Sequence, residues 1–460
     1  MKEEIIMITD LTEGKPSSVL VKFSLPMLWS AMFQQLYNIS DSIIAGKFAG
    51  EDALAAIGAS YPITQIFTAI ALGCNVGASV VISQNFGAKK YTEMKTAINT
   101  SYISFGILSI ILTFIGIFFS GGMLSLLKTP ENIFSSGVTY LNIYSGGMFF
   151  VFMYNICTGI FTALGDSKTP LYLLIASSVG NIFLDLLFVA VWQTGVAGAA
   201  WATFIAQAIA AAAAFALLTK RMRAIKSDKP QKFSASMLKV ISFMSIPSIL
   251  QQSFVSVGNL FIQVLVNGFG SSVIAGYSAA IKLNTFAITS FTTLGNGLSN
   301  FTAQNIGAQK YDRVPKGFKA GVFIGLCVAV PVSLLYFIGG KLMLGLFMED
   351  GAAGAAMDSG LAFLHIVSPF YAIVCLKLAA DGLQRGAGKM FYFMISTFTD
   401  LILRVILAFV LVGPFDSKGI WLSWPVGWCI STAIALFFYC TGKWRPKETL
   451  EDKLEEADIM

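Results

Sequence analysis

Histidine occurs once, at His365, in a chain of 460 residues. Membrane metalloproteases and di-metal hydrolases need several His ligands, so this scarcity excludes them. Cysteine is scarce as well. The six, at 74, 157, 327, 375, 429 and 440, stand singly in apolar stretches with no C-x-x-C. They read as small core residues and not as a disulfide framework. Charged residues make up 12% of the chain, against roughly 25% in an average soluble domain, which excludes a disordered protein and a soluble enzyme. The N-terminal stretch has no basic region leading into an apolar core, so no cleaved signal peptide is expected.

Apolar residues are in excess, at 55% of the chain with a mean hydropathy of +0.72. A spanning helix takes roughly 20 apolar residues. Twelve long apolar segments are legible, at 18–46, 53–84, 96–120, 132–163, 170–192, 195–219, 240–268, 272–303, 318–340, 354–384, 390–412 and 419–441. The fold class expected is an all-α integral membrane protein of about 12 transmembrane helices.

The segments divide the chain into an N-terminal tail (1–17), a first lobe (18–219), a basic linker (220–239), a second lobe (240–441) and a C-terminal tail (442–460). Twenty-four of the 31 Lys and Arg fall in the tails and in loops on one side, and only Lys47, Lys128, Lys341 and Lys418 on the other. The positive-inside rule puts the basic side, and both termini, in the cytoplasm. The cell (inner or plasma) membrane is the expected location. These bases border membrane segments and are not interleaved with exposed aromatics, so nucleic acid is not an expected partner.

The chain also repeats. Gln84-Asn85-Phe86-Gly87-Ala88-Lys89-Lys90-Tyr91 recurs as Gln304-Asn305-Ile306-Gly307-Ala308-Gln309-Lys310-Tyr311, with six of eight positions identical. Ser24-Leu25-Pro26 recurs as Ser245-Ile246-Pro247, and Gly165 and Lys168 as Gly386 and Lys389. The offset is 220 or 221 throughout. A repeat unit of six spans, an even number, gives two parallel pseudo-symmetric six-helix lobes, a transporter arrangement. Pro26 and Pro247 sit at matching points of the first and seventh spans, where each kinks its helix.

A charge near the bilayer centre is expensive, so intramembrane acids lead to function. No Glu falls inside a span, but Asp41, Asp185, Asp381 and Asp400 do. Asp400 has Arg404 four residues on, and Asp381 lies four from both Lys377 and Arg385. Residues four apart share a helix face, so these two acids read as structurally paired charges. Asp41 and Asp185 have no base within four positions. A buried carboxylate without a cationic partner is costly to leave charged, so each must hold a proton or a metal cation. Asn181 stands four before Asp185, and the pair suits a small cation such as Na⁺ and a proton equally. Phe and Met, at 39 and 17 residues, supply apolar lining for a cavity that with an acid suits large lipophilic cations. His365 reads as a hydrogen-bonded packing residue.

The sequence resembles the multidrug and toxic compound extrusion (MATE) family. The resemblance is carried by Pro26…Gln34-x-x-Tyr37-Asn38-x-x-Asp41-x-x-x-x-Gly46, by Ala53-Leu54-Ala55-Ala56-Ile57-Gly58, by both Gln-Asn-x-Gly-Ala repeats, by Gly165-Asp166-Ser167-Lys168-Thr169-Pro170 and by Gly195-Val196-Ala197-Gly198-Ala199-Ala200. It covers about residues 15 to 442. It implies two six-helix lobes around a cleft, and export of amphipathic organic cations in exchange for H⁺ or Na⁺ by alternating access.

Residue by residue, the resemblance puts a cation-coupling site at Asp41, Asn181, Asp185 and Thr203, with Tyr140 joining it, and Na⁺ as one ion those four would hold. It puts Gln34, Tyr37, Asn38 and Asn181 on the substrate cavity. Some relatives have a second cation site built on a seventh-span Glu, but here that span carries Gln251 and Gln252. No cofactor is expected beyond the coupling ion. The partners expected are the lipid bilayer and drug-like organic cations, and the chain is expected to act as a monomer. Two rivals remain. A flippase for lipid-linked oligosaccharide or peptidoglycan precursors needs a cationic cavity, and away from their ends the spans hold only Lys282, Lys377 and Arg404 as bases. A membrane enzyme lacks both a His cluster and a soluble catalytic domain, so no enzymatic activity is expected.

Overall fold

The computed structural model describes residues 9–348 and 354–445. Among them the regular structure is helical throughout, with no strand. The tail calls at 1–8 and 446–460 lie outside the described residues.

Helix α1 (Pro16–Ile44) starts with proline in its first turn, where the missing N–H costs nothing. It runs into a π-helical turn, Ala45–Ala49. Then come α2 (Glu51–Gly87), α3 (Tyr91–Leu126) and α4, which is two pieces, Glu131–Gly146 and Met148–Ala163, bent by 46°. Next are α5 (Lys168–Asp185), extended by a second π-helical turn (Leu186–Val191), and α6 (Gly195–Ala224). The second half holds α7 (Ala235–Asn267), α8 (Ser271–Gly307) and α9 (Arg313–Gly345). Helix α10 runs from Gly354 to Gly386 through a 3₁₀ turn at Ser368–Phe370. The last run, Met390–Cys440, is broken at Asp416 (φ 52°), which makes α11 (390–415) and α12 (417–440).

The twelve apolar segments are thus twelve helices among the described residues. Among the described residues, eight helical stretches are long and apolar enough to cross a membrane by composition alone, and nine if bent α4 counts as one span. That tally takes α11 and α12 together. Helices α1 and α8 carry more polar side chains and join the set by length and position. Ile107, Ile111, Phe114 and Phe118 of α3 are exposed, as lipid-facing side chains are. The backbone stays helical through Pro26 and Pro247.

The repeat is visible in the backbone. Helices α2 and α8 are each 37 residues long. Each is entered through a glycine, Gly50 (φ 92°, ψ 170°) and Gly270 (φ 88°, ψ 171°), in a region open essentially to glycine alone. Each ends in the repeated Gln-Asn-x-Gly-Ala, which is a helix stop. The N–H groups of Ala88 and Ala308 donate to the carbonyls of Gln84 and Gln304, and those of Lys90 and Lys310 to the carbonyls of Asn85 and Asn305. Lys89 (φ 60°) and Gln309 (φ 57°) take the left-handed position between them. The second copy does more. Gln304 Oε1 accepts from the Leu11 N–H at 3.0 Å, Asn305 Nδ2 donates to the Leu11 carbonyl at 3.1 Å, and Arg313 donates to the Gly14 carbonyl at 2.7 Å.

One register differs from the sequence reading. The turn after α4 uses Gly165 (φ 79°), and the matching turn after α10 uses Gly388 (φ 70°), not Gly386. Gly386 is glycine for another reason. With Gly382 it faces α8, where a Cβ would strike the backbone of Gly295 and Ser299, so the two helices approach closely.

The chain packs as two compact units. Of the described residues, one holds 9–10 and 25–252 and the other 11–24, 253–348 and 354–445. Helix α1 therefore changes unit beside Pro26, and α7 changes unit at 252–253. In the second unit Tyr277 stacks on Trp421 at 5.0 Å, edge-on to Phe363.

Candidate coupling site in the first unit

Three helices bring the site together. On α1, Gln34, Tyr37 and Asp41 recur at spacings of three and four and share a face. On α5, Ser177, Asn181 and Asp185 do the same, and on α6 so do Thr203 and Gln207. Asn181 and Asp185 are 2% and 1% exposed, and Asp41 is half-buried.

The carboxyl groups of Asp41 and Asp185 stand within hydrogen-bonding reach of each other. Among the described residues no Lys or Arg forms a salt bridge with either. Two ionised carboxylates only accept, so a bond between them requires one proton. With its amide oriented to satisfy both ends, Asn181 donates to Asp185 Oδ2 at 2.8 Å and to Tyr37 Oη at 3.1 Å. Its oxygen accepts from the Thr203 N–H at 3.2 Å. Asp185 Oδ1 is buried with no donor from the rest of the described chain. Tyr37 also hydrogen-bonds the Thr203 side chain, and Tyr140 lies close enough to both acids to feel their charge. Its ring stacks on Tyr144, which meets Thr68 Oγ1 at 3.2 Å.

The five residues expected at a coupling site are thus brought together. Of the expected cavity residues, Gln34, Tyr37 and Asn181 line a cavity of about 30 Å³ with Tyr154, Ser177, Ser178, Thr203 and Gln207. That is room for one or two waters. Asn38 does not line this cavity. It is exposed, donating to Gln35 at 3.2 Å and accepting from Gln34 at 3.4 Å. Sequence reasoning missed Ser177 and Gln207, although each stands four residues from a residue it named. Gln207 Oε1 is buried and has no partner among the described residues.

It also missed the two π-helical turns. One follows Asp41 on α1, the other follows Asp185 on α5, and the two pack together and against α6. Such turns are rare and gather at functional sites.

In the second unit the acids are paired, as their neighbourhood indicates. Lys377 Nζ lies 2.7 Å from Asp381 and 3.9 Å from Asp400, Arg404 lies 3.0 Å from Asp400, and Ser396 donates to Asp381 at 2.8 Å. Among the described residues no group of three or more His, Cys, Asp or Glu is arranged to hold a metal. His365 meets the Phe337 carbonyl at 3.0 Å and packs on its ring.

The sequence pattern of the MatE family matches residues 26–187 and 247–410. The chain is 29% identical over 453 residues to the "Probable multidrug resistance protein YpnP" of Bacillus subtilis, covering 96% of this chain and 99% of that protein. It is 26% identical over 338 residues to the "Multidrug export protein MepA" of Staphylococcus aureus, covering 72% and 74%. In fold it is similar to the solved structure described as "Crystal structure of MATE in the straight conformation", with a TM-score of 0.86 at 21% identity over 98% of this chain and 99% of that one.

Proposed function

Because the chain belongs to the MatE family, we propose that it exports amphipathic organic cations across the plasma membrane in exchange for protons, with Asp41 and Asp185 as the coupling pair. The observation that carries this reading is the contact between two carboxyl groups on separate helices, with no basic partner among the described residues. Protonated once, the pair ties α1 to α5. Doubly ionised, it repels and attracts a cationic drug instead. Proton and drug then favour different states, and each lowers the other's affinity.

A proton is the ion that the acid contact itself calls for, since two carboxyl groups hydrogen-bond only when one of them is protonated. Gln34, Ser177 and Gln207 each lie one turn from the acid-side residues, all toward the linker end of the helices. The cavity they line offers water, and through it a proton, a polar route from that end.

The flippase reading is not favoured. Lys377 and Arg404 are tied to Asp381 and Asp400, and Lys282 lies over the Phe347 ring. The relatives named above are multidrug proteins. The basic tails and loops support a cytoplasmic position for both termini. The test is efflux of a fluorescent lipophilic cation from proteoliposomes under a proton gradient and a sodium gradient applied separately. Transport driven by the sodium gradient alone overturns the choice of ion, and transport by neither overturns the function.

A further inference from the structure

The linker between α6 and α7 spans ten residues, 225–234. It is not a loose tether. Lys95 Nζ donates to the Ile225 carbonyl at 2.6 Å, and Asn99 Nδ2 donates to the Gln231 carbonyl at 2.9 Å. The N–H groups of Gln231 and Ser234 donate to Thr96 and Thr100 Oγ1 at 3.2 and 3.1 Å. Residues 95, 96, 99 and 100 form one face of α3, and that face holds the linker by its backbone. Seven of the linker's ten side chains are exposed, all but Ile225, Pro230 and Ser234.

Those side chains have a pattern. Arg223, in the last turn of α6, and Lys226, Lys229 and Lys232 of the linker recur every third residue, and all are exposed. None forms a salt bridge among the described residues. Asp228 is the one acid between 220 and 239. Phe233, beside the last base, is 43% exposed. Both ends of the segment run into membrane-spanning helices. A ten-residue connection pinned along its length keeps its bases beside the ends of the spans it joins.

We propose that this pinned linker is a binding surface for anionic phospholipid headgroups of the adjoining leaflet. The phosphodiesters face the row of four bases, and the Phe233 ring sits at the interface. Basic residues next to a span are attracted to an anionic leaflet over about a Debye length. Bases that only direct insertion need no fixed arrangement in the folded protein. Here the hydrogen bonds to α3 fix them in a row, so headgroup binding also holds the α6–α7 junction.

The test uses the full chain in nanodiscs of phosphatidylcholine alone and of phosphatidylcholine mixed with phosphatidylglycerol. The readouts are melting temperature and the lipids retained in native mass spectrometry. The wild type is expected to melt higher with phosphatidylglycerol and to retain it, and high salt to erase the difference. The R223Q/K226Q/K229Q/K232Q variant is expected to lose both effects. K226Q/K229Q, which keeps half the charge should the full variant fail to insert, is expected to lose about half the shift. A phosphatidylglycerol preference left intact in either variant overturns the proposal. So does a wild type with no preference, or an equal shift in phosphatidylcholine discs on adding free glycerol phosphate.

Discussion

Asp41 of α1 and Asp185 of α5 reach each other across the first unit, while the acids of the second unit, Asp381 and Asp400, each reach a base. These four aspartates thus fall into two chemical kinds. An acid pair with one proton to share changes its charge when that proton leaves. An acid matched by a Lys or Arg does not need to. Asp41→Asn and Asp185→Asn are each expected to cut proton-driven drug efflux by about 5–150-fold, the range of a typical coupling energy. Initial rates in proteoliposomes check this. An unchanged rate in both variants removes the pair from the mechanism.

Gln207→Leu separates the cavity from the acids. Its side-chain oxygen lines the cavity without a protein partner among the described residues. Its loss is expected to slow proton uptake after a pH jump by roughly two- to tenfold, the range set by one hydrogen bond of about 0.5–1.5 kcal/mol. Drug affinity, read by equilibrium titration, is expected to stay the same. A drop in affinity with unchanged proton uptake would place Gln207 on the drug and not on the proton route.

In the second unit, Lys377→Met is expected to be costly. It takes the ion-pair partner from buried Asp381, which keeps the field of Arg385, at up to about 3–5 kcal/mol. The double variant Lys377→Met/Asp381→Asn removes both charges and is expected to recover most of that loss in thermal unfolding. If the double variant is no more stable than Lys377→Met, the two charges do not act as a pair.

Gln309 is a left-handed residue without the usual glycine. For a residue with a Cβ that conformation costs about 1–2 kcal/mol. The side chain is exposed. Gln309→Gly is therefore expected to raise the melting temperature, and loss of stability would show that the side chain contributes there.

Much of the fold was legible because lipid simplifies the problem. Apolar runs must be helices, and acids inside them must be accounted for, so twelve segments and Asp41 and Asp185 could be read directly. The repeated Gln-Asn-x-Gly-Ala was legible as a repeat, though not as a helix stop, because its action lies in backbone bonds. The π-helical turns after Asp41 and Asp185 were not legible, since an extra residue per turn leaves no mark in an apolar run. The pairing of Gly165 with Gly388 was hidden by a nearer match at Gly386. Gln207 was missed because polar residues in α6 were carried over only where a family motif reached, at Thr203. The hydrogen bonds that pin the linker join residues about 130 positions apart, beyond any local pattern.

The most direct measurement is proton release on drug binding. The purified protein is placed in weak buffer with a pH-sensitive dye and titrated with a lipophilic cation. Exchange at the acid pair predicts release of about one proton per protein on saturation, and none from Asp41→Asn, although the variant still binds drug. Drug binding to the wild type without proton release, or the same release from Asp41→Asn, contradicts coupling through Asp41 and Asp185.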